Sequence, residues 1–446
     1  MWENKNISVI GLGITGISLV KLLKKLKANI FVSEINPQNE FIKQLDNLNI
    51  KYELGKHTEK IIENCDLIIK SPGVSHNLEI LKIASKKNIS ILSELEFSYG
   101  LIKPGRIIAI TGTNGKTTTT TLTGEILKKS GYKVVVAGNI KEPLSEYVDK
   151  IDKNTYVVLE VSSYQLEDTY TFKPDISCIL NISPDHLEHH KTMQEYIKIK
   201  FKIFENQTEE NFFIYNYNSK YLVNSLRSVV VKPVKISFSV NTLLNEGTYI
   251  KNGKLTMDFN RYNFAISPKI KIPGNHNLEN ILASITISGL CNVSPEIIEK
   301  TIQEFKGVEH RLEFVDKING VTYINDSKST NIDSTFVALS SFNSPIILIM
   351  GGRDKGYPYT GLKKIIKEKV KLLLVIGEAT QKIVSQLFGS TKIIECDNIE
   401  YAVKQTKKFA VKGDIVLLSP GCSSFDQFKN FEHRGNVFKE LVKKLK

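Results

Sequence analysis

The 446-residue sequence has only 5 cysteines, and Cys65, Cys178, Cys291, Cys396 and Cys422 are scattered with no CxxC pair among them. An odd, dispersed set argues against both a disulfide framework and a structural zinc site. Reduced thiols packed as small apolar groups are expected instead. No apolar run approaches the ~18 residues that cross a bilayer, so no membrane span is expected. The opening MWENKNISVIGLG enters a strand at once and lacks the apolar core and cleavage site of a signal peptide. A cytoplasmic protein is the expectation. Repeats of solenoid period and low-complexity tracts are missing too, which excludes stacked-repeat and tail-like architectures.

Acidic residues are outnumbered, 47 against 60 Lys and Arg, for a net charge of +13. The lysines are spread along the chain, as in LVKLLKKLK and KKIIKEKVK, on solvated helix faces. Aromatic residues are not interleaved with them in a patch, so no nucleic-acid partner is expected. With 41% hydrophobic and 24% charged residues the composition is that of a globular protein. At ~150 residues per domain the length suggests about three domains.

Short apolar strands alternate with helical stretches from the start: NISVIGLG, GISLVKLLKKLK, NIFVSE, FIKQLDNL, DLIIKSPG and ISILSE. Such alternation predicts a parallel sheet covered by helices. IKPG, at Ile102 to Gly105, reads as a hinge, after which RIIAIT restarts the pattern. Residues 229–272 change to alternating strands with an Asn252-Gly253 hairpin signal, a small antiparallel edge. A third restart near Gly307 to Arg311 leads into FVDKINGVTYIND, a hairpin turning at Asn319-Gly320, and then PIILIMGG, KLLLVIGE and DIVLLSP. The boundaries fall at 1–102, 103–308 and 309–446. The fold class is α/β in three domains.

Four places carry chemistry. In the first, the strand Ile107 to Thr111 runs into Gly112-Thr113-Asn114-Gly115-Lys116-Thr117-Thr118 and a helix follows at once. Glycines let backbone N–H groups turn around phosphate oxygens, Lys116 reaches the β/γ-phosphates and Thr117 can ligate Mg²⁺. This phosphate loop implies ATP, although its spacing is two residues shorter than GxxxxGK[ST]. The second place is Gly11-x-Gly13-x-x-Gly16, with Glu34 ending the next strand, a pyrophosphate seat. Alone it suggests a nicotinamide-dependent oxidoreductase; with an ATP loop downstream, a nucleotide-linked substrate is favoured. Third, Glu160 and His186 end or follow strands on the loop's side of the sheet, where a carboxylate can hold Mg²⁺. His189 and His190 read as surface residues, and Lys200, in YIKIKFKIFEN, as a solvated helix lysine. The fourth is a pair of loops, NDSKSTN (Asn325 to Asn331) and SPGCSSFDQFKNFEHRG (Ser419 to Gly435), dense in polar groups after buried strands, which suits ligand binding.

With GLGITG, SPG, GTNGKTTT, LEVSSYQLE, NISPDH, PGNHNLEN, HRLE, INDSKSTN and LLSPGCSSFDQFKNFEHRG in this order, the chain resembles the Mur ligases of peptidoglycan synthesis over essentially its whole length. GLGITG, SSYQLE and FDQFKNFEHRG resemble the D-glutamate-adding type. The resemblance implies a Rossmann-like N-terminal domain, a central P-loop ATPase domain and a C-terminal Rossmann-like domain. It implies the substrates UDP-N-acetylmuramoyl-L-alanine, D-glutamate and ATP, two Mg²⁺ ions, and a monomer whose domains close before chemistry. Ile14, Thr15, Ser71, Asn139 and His186 would touch the UDP-sugar. Thr117 and Glu160 would hold one Mg²⁺; His186 and Lys200, the latter carbamylated, the other. Asn277, Asn280, Arg311, Asp326 and Lys328 would approach ATP. Thr330, Lys355, Ser424, Phe425 and Phe431 would form the D-glutamate pocket. The chain departs from the family at Glu34-Ile35-Asn36, where members commonly carry Asp, a hydroxyl residue and Arg, and at DHLEHH, where DHLDR/W is frequent. Another Mur-type or a folylpolyglutamate ligase is the rival within the class.

Overall fold

The structure is a computed structural model describing residues 2–75, 77–140, 142–356 and 358–446. Among them lie three sheets. The first is five-stranded and parallel: β1 (Asn6–Ile10), β2 (Asn29–Glu34), β3 (Lys51–Leu54), β4 (Leu67–Lys70) and β5 (Ser90–Ser93), in the order β3-β2-β1-β4-β5. Its central strands are continuous apolar runs because helices cover both faces. The chain leaves β1 toward β2 on one side and returns to β4 on the other. Gly11 and Ser71 therefore meet where the order reverses, the usual position of a ligand crevice.

The second sheet has nine strands: β6 (Arg106–Thr111), β7 (Lys133–Gly138), β8 (Thr155–Glu160), β9 (Ile176–Ile179), β10 (Phe212–Asn216), β11 (Val234–Ser239), β12 (Gly247–Lys251), β13 (Lys254–Phe259) and β14 (Tyr262–Ile266). They run in the order β14-β13-β12-β11-β10-β9-β6-β8-β7, antiparallel only across β12, β13 and β14. Asn252 and Gly253 take φ of 51° and 73° at the hairpin tip, the left-handed pair that a two-residue turn needs. The third sheet orders β15 (Glu313–Ile318), β16 (Val321–Asn325), β17 (Ile346–Gly351), β18 (Val370–Ile376), β19 (Lys392–Glu395) and β20 (Ile415–Leu418) as β15-β16-β20-β17-β18-β19. Only β15 and β16 are antiparallel, joined at Asn319-Gly320. No helix of the described residues is long and apolar enough to cross a membrane.

The chain forms two compact units. One contains the residues up to Ser267 together with Glu279–Thr301, and the other Pro268–Leu278 with Ile302–Lys446. The first two sheets thus share one unit, and the Ile102 to Gly105 segment runs inside it, with the Gly105 N–H donating to the Thr155 carbonyl at 3.0 Å. Buried polar contacts join their elements. Glu94 accepts from the Ser145 N–H at 2.6 Å, and burial pushes its carboxyl up. Glu96 accepts from the Thr171 N–H at 2.6 Å. At the end of β4, Lys70 is 1% exposed, its Nζ 2.9 Å from Asp168 Oδ2 and 3.4 Å from Glu167 Oε2.

A buried pair is costly to break because the remaining charge stays out of water. Lys70→Met should therefore lower unfolding free energy by about 3–5 kcal/mol. The double variant Lys70→Met/Asp168→Leu should regain a large part of that loss, both read by urea denaturation.

Candidate active site

The phosphate loop leaves β6 at Thr111 and enters the helix Lys116–Lys129. Gly112 and Gly115 take φ of 154° and 86°, and a Cβ on Gly115 would stand 2.2 Å from Asn280 Oδ1. Only glycine fits there. Asn181 clasps the turn: its Oδ1 accepts the Asn114 N–H at 2.9 Å and its Nδ2 donates to the Asn114 carbonyl at 3.1 Å. Thr113 Oγ1 lies 3.2 Å from the Tyr196 hydroxyl, and Thr117 and Thr118 are buried in the first helical turn. Lys116 Nζ donates to the carbonyls of Gly112 at 2.7 Å and Thr113 at 2.8 Å.

Glu160 ends β8, the strand beside β6. It is 2% exposed, its Oε1 accepting from Asn139 Nδ2 at 2.8 Å while Oε2 is buried without a hydrogen-bond partner. An orphaned buried carboxylate oxygen is expensive unless a cation meets it, so this residue fits Mg²⁺. Lys200, on the helix Met193–Glu205, is buried, not solvated. Its Nζ lies 3.2 Å from the Gly112 carbonyl, 3.4 Å from Thr111 Oγ1 and 4.7 Å from the Tyr196 ring centroid. Burial, reinforced by the Lys116 cation, drives its pKa well below the ordinary lysine value. Disfavouring the charged form raises the share of the unprotonated amine, the form that reacts with CO₂. His186 stands in the left-handed region at φ 54°, its Nδ1 3.2 Å from the Tyr164 hydroxyl, and burial lowers its pKa.

His189 and His190 are not surface residues. His190 is buried with Nε2 2.9 Å from Ser163 Oγ, and His189 Nε2 lies 2.5 Å from Glu167 Oε1. The four-residue helix Leu187–His190 turns both rings onto Tyr164, an inward packing that a run of polar letters does not reveal.

In the first sheet Ser71 Oγ donates to the Gly11 carbonyl at 2.9 Å, and a Cβ on Gly16 would stand 2.1 Å from that same oxygen. Ile14 is exposed and Thr15 half-buried at this mouth. Glu34 is occupied by the protein itself, its Oε2 accepting from the Leu12 N–H at 2.5 Å and Oε1 from the Asn36 N–H at 2.8 Å. Both oxygens face backbone donors, so the acidic residue of the fingerprint braces the loop rather than presenting itself as a ribose hook.

Asn277, Arg311, Asp326, Lys328, Thr330, Lys355, Ser424, Phe425 and Phe431 lie in the second unit, and Asn280 in the first. The two polar loops of the second unit are tied together. Asp326 Oδ2 accepts from Ser329 Oγ at 2.5 Å and Ser419 Oγ at 2.9 Å, and the Gly421 N–H donates to the Ser329 carbonyl. Sequence reasoning missed Arg434, whose buried guanidinium donates to Ser327 Oγ and to the carbonyls of Ser327, Cys422 and Ser423 at 2.9–3.3 Å. It also missed Asn181, Tyr164 and Tyr196. Lys328 Nζ lies 5.2 Å from the Phe431 ring centroid, Ser424 is buried, and Lys355 and Phe425 are exposed.

The geometry is that of a phosphate-loop nucleotide-binding protein of the α/β class. The chain matches the Mur ligase middle domain over residues 110–288, the Mur ligase MurD-like N-terminal domain over 5–93 and the Mur ligase glutamate ligase domain over 310–422. It belongs to the Mur ligase family. Its relatives include the UDP-N-acetylmuramoylalanine--D-glutamate ligase of Thermoanaerobacter sp. (strain X514), 43% identical over 100% of this chain and 99% of that protein. The ligase of the same name from Clostridioides difficile (strain 630) is 40% identical over the same shares. Among solved structures, UDP-N-acetylmuramate-alanine ligase from Thermotoga maritima covers 99% of this chain and 100% of its own, with TM-score 0.60 and 19% identity. That likeness shows the fold.

Burial pushes the Asp326 carboxyl up to about 6 against its serine donors. Because the folded pKa is raised, the native state binds the extra proton between about pH 4 and 6, and this group's contribution to stability falls as pH rises through that window. The loss amounts to about 3 kcal/mol. Asp326→Asn should remove that slope when denaturant unfolding is compared with the parent across pH 4–7.

Proposed function

We propose that this chain is an ATP-dependent ligase that joins D-glutamate to UDP-N-acetylmuramoyl-L-alanine through an acyl phosphate, as a monomer in the cytoplasmic synthesis of peptidoglycan precursors. Residues 1–102 would receive the UDP-substrate, 103–308 ATP and 309–446 D-glutamate. The observation that carries the reading is a phosphate loop with buried Lys200 3.2 Å from its Gly112 carbonyl and, on the neighbouring strand, Glu160 with an orphaned oxygen, in a chain whose full-length relatives bear that ligase name.

ATP phosphates seat along the loop from Gly112 to Thr118, on the N–H groups that Asn181, holding those of Thr113 and Asn114, leaves open. Lys116 exchanges the carbonyls of Gly112 and Thr113 for the β/γ-phosphates. An oxygen of the L-alanyl carboxylate attacks the γ-phosphorus, and the β–γ bridging oxygen leaves with ADP. The D-glutamate nitrogen then attacks the acyl carbon; the C–N bond forms, phosphate departs with the C–O electron pair, and the amine proton is lost. Thr117 and Glu160 would hold one Mg²⁺ and His186 with carbamylated Lys200 a second, supplying positive charge that offsets repulsion between the two anions. To form that carbamate the neutral Lys200 amine adds to CO₂, and the proton passes to solvent. Ile14, Thr15, Ser71, Asn139 and His186 orient the UDP-sugar. Asn277, Asn280, Arg311, Asp326 and Lys328 bind ATP, and Thr330, Lys355, Ser424, Phe425 and Phe431 bind D-glutamate.

Phosphate release with ATP and UDP-N-acetylmuramoyl-L-alanine should require D-glutamate, with L-glutamate, L-alanine, L-lysine and a folate acceptor inert. Lys116→Ala should cut the rate by about 10²–10³. Release with a different amino acid or with folate would assign another ligase of the fold, and an NADH fluorescence change would favour the oxidoreductase reading. Lys200→Ala should be inactive and partly rescued by added short carboxylates; no rescue removes the carbamate from the mechanism.

A further inference from the structure

Glu167, His189 and His190 form a cluster that the ligase reaction leaves unused. Glu167 follows the helix Ser163–Leu166, and the two histidines end the helix Leu187–His190. His189 Nε2 stands 2.5 Å and His190 Nδ1 3.4 Å from Glu167 Oε1, and the three atoms lie within 4.8 Å of one another.

The partners of each group set its orientation. His190 is 2% exposed, and its Nε2 stands 2.9 Å from Ser163 Oγ. Ser163 Oγ can accept from or donate to Nε2, and Nδ1, buried without a hydrogen bond, faces Glu167; in the tautomer with the proton on Nε2 it turns a lone pair toward that carboxylate. A lone pair opposite a carboxylate is unfavourable unless a cation lies between them. On the far side of Glu167, Lys70 Nζ lies 3.4 Å from Oε2, which leaves Oε1 for the histidines. The Tyr164 ring packs on both imidazoles, with centroids 4.5 Å and 5.5 Å away. An imidazole oriented through its second nitrogen, as His190 is by Ser163, beside a carboxylate itself held by a cation, is an arrangement that supports zinc-class ions.

We propose that Glu167, His189 and His190 bind one divalent transition-metal ion of the zinc class, in a site distinct from the magnesium ligands Thr117, Glu160, His186 and Lys200. Two imidazoles and one carboxylate leave a fourth tetrahedral position for water. Ligand atoms around such an ion stand roughly 3.3 Å apart at bond lengths of about 2.0–2.1 Å, so the His189 ring must withdraw slightly from Glu167. It has the room, since its side chain is 15% exposed at the end of a four-residue helix. The ion would clamp two short helices and so stiffen the segment that begins at His186.

Titrating chelator-treated full-length protein with Co²⁺ and reading visible absorption tests this. One equivalent should raise the intense bands of four-coordinate cobalt, Zn²⁺ should abolish them, and a large excess of Mg²⁺ should not. His189→Arg keeps a cation beside Glu167 while removing a ligand, so it should weaken Co²⁺ binding about tenfold or more with circular dichroism and melting unchanged. Glu167→Gln should likewise weaken Co²⁺ binding, and it should also lower the melting temperature because Glu167 meets buried Lys70. Three results would overturn the proposal: no band at one equivalent, a band untouched by His189→Arg, or a band displaced by Mg²⁺ with ATP or lost in Glu160→Gln. The last would place the cobalt among the magnesium ligands.

Discussion

Two lysine amines converge on one carbonyl oxygen in the phosphate loop: Lys116 Nζ at 2.7 Å and Lys200 Nζ at 3.2 Å from Gly112 O. Each amine is an obstacle to the other's charge, and burial decides which one yields. Lys116 is only half-buried, its amine resting on the Gly112 and Thr113 carbonyls. Lys200 is sealed beneath and shifts toward the neutral amine. The same convergence explains why Gly112 and Gly115 must be glycines. The loop has to turn the Gly112 and Thr113 carbonyls toward the lysine amines and enter a helix within a few residues.

Around that point the first unit is arranged by parallel-sheet topology. β6, β8 and β9 are neighbours, and all finish on the same edge, so the loop, Glu160 and the Asn181 clasp arrive there without long connections. Tyr196 and Lys200 reach the loop from a helix packed on the sheet. In the second unit, neighbours β16 and β20 deliver the two polar loops, and Arg434 fills the space between them with a cation that meets mostly carbonyls. A buried guanidinium holding neutral acceptors is costly to desolvate, and what it secures is loop geometry.

The polar bonds between elements of the first two sheets show the same trade. Lys70, Glu94 and Glu96 are buried where apolar residues would pack more cheaply. Each ties an element of the first sheet to a turn or helix of the second, at Asp168, Ser145 and Thr171. Directional bonds of this kind specify one docking of the elements, which dispersion alone leaves degenerate.

Much of this was legible in the letters, because its causes are local. Strand and helix periods, the Asn-Gly hairpins at 252 and 319, the phosphate loop and the run of family motifs depend on neighbours a few residues apart. Side-chain environment depends on residues far away in the chain. Nothing around Lys200 distinguishes it from the solvated lysines of its own helix until Thr111, Gly112 and Tyr196 enclose it. His189 and His190 look like polar surface until Tyr164 and Glu167 fold over them. Glu34 reads as the acidic residue of a dinucleotide fingerprint until the Leu12 and Asn36 N–H groups take both its oxygens. The sequence by itself determined the alternation of strands and helices, the motifs and the family. Only the tertiary structure decided which charges are buried and what they meet, since the cost of removing a charge from water is set by every group around it, near or distant in sequence.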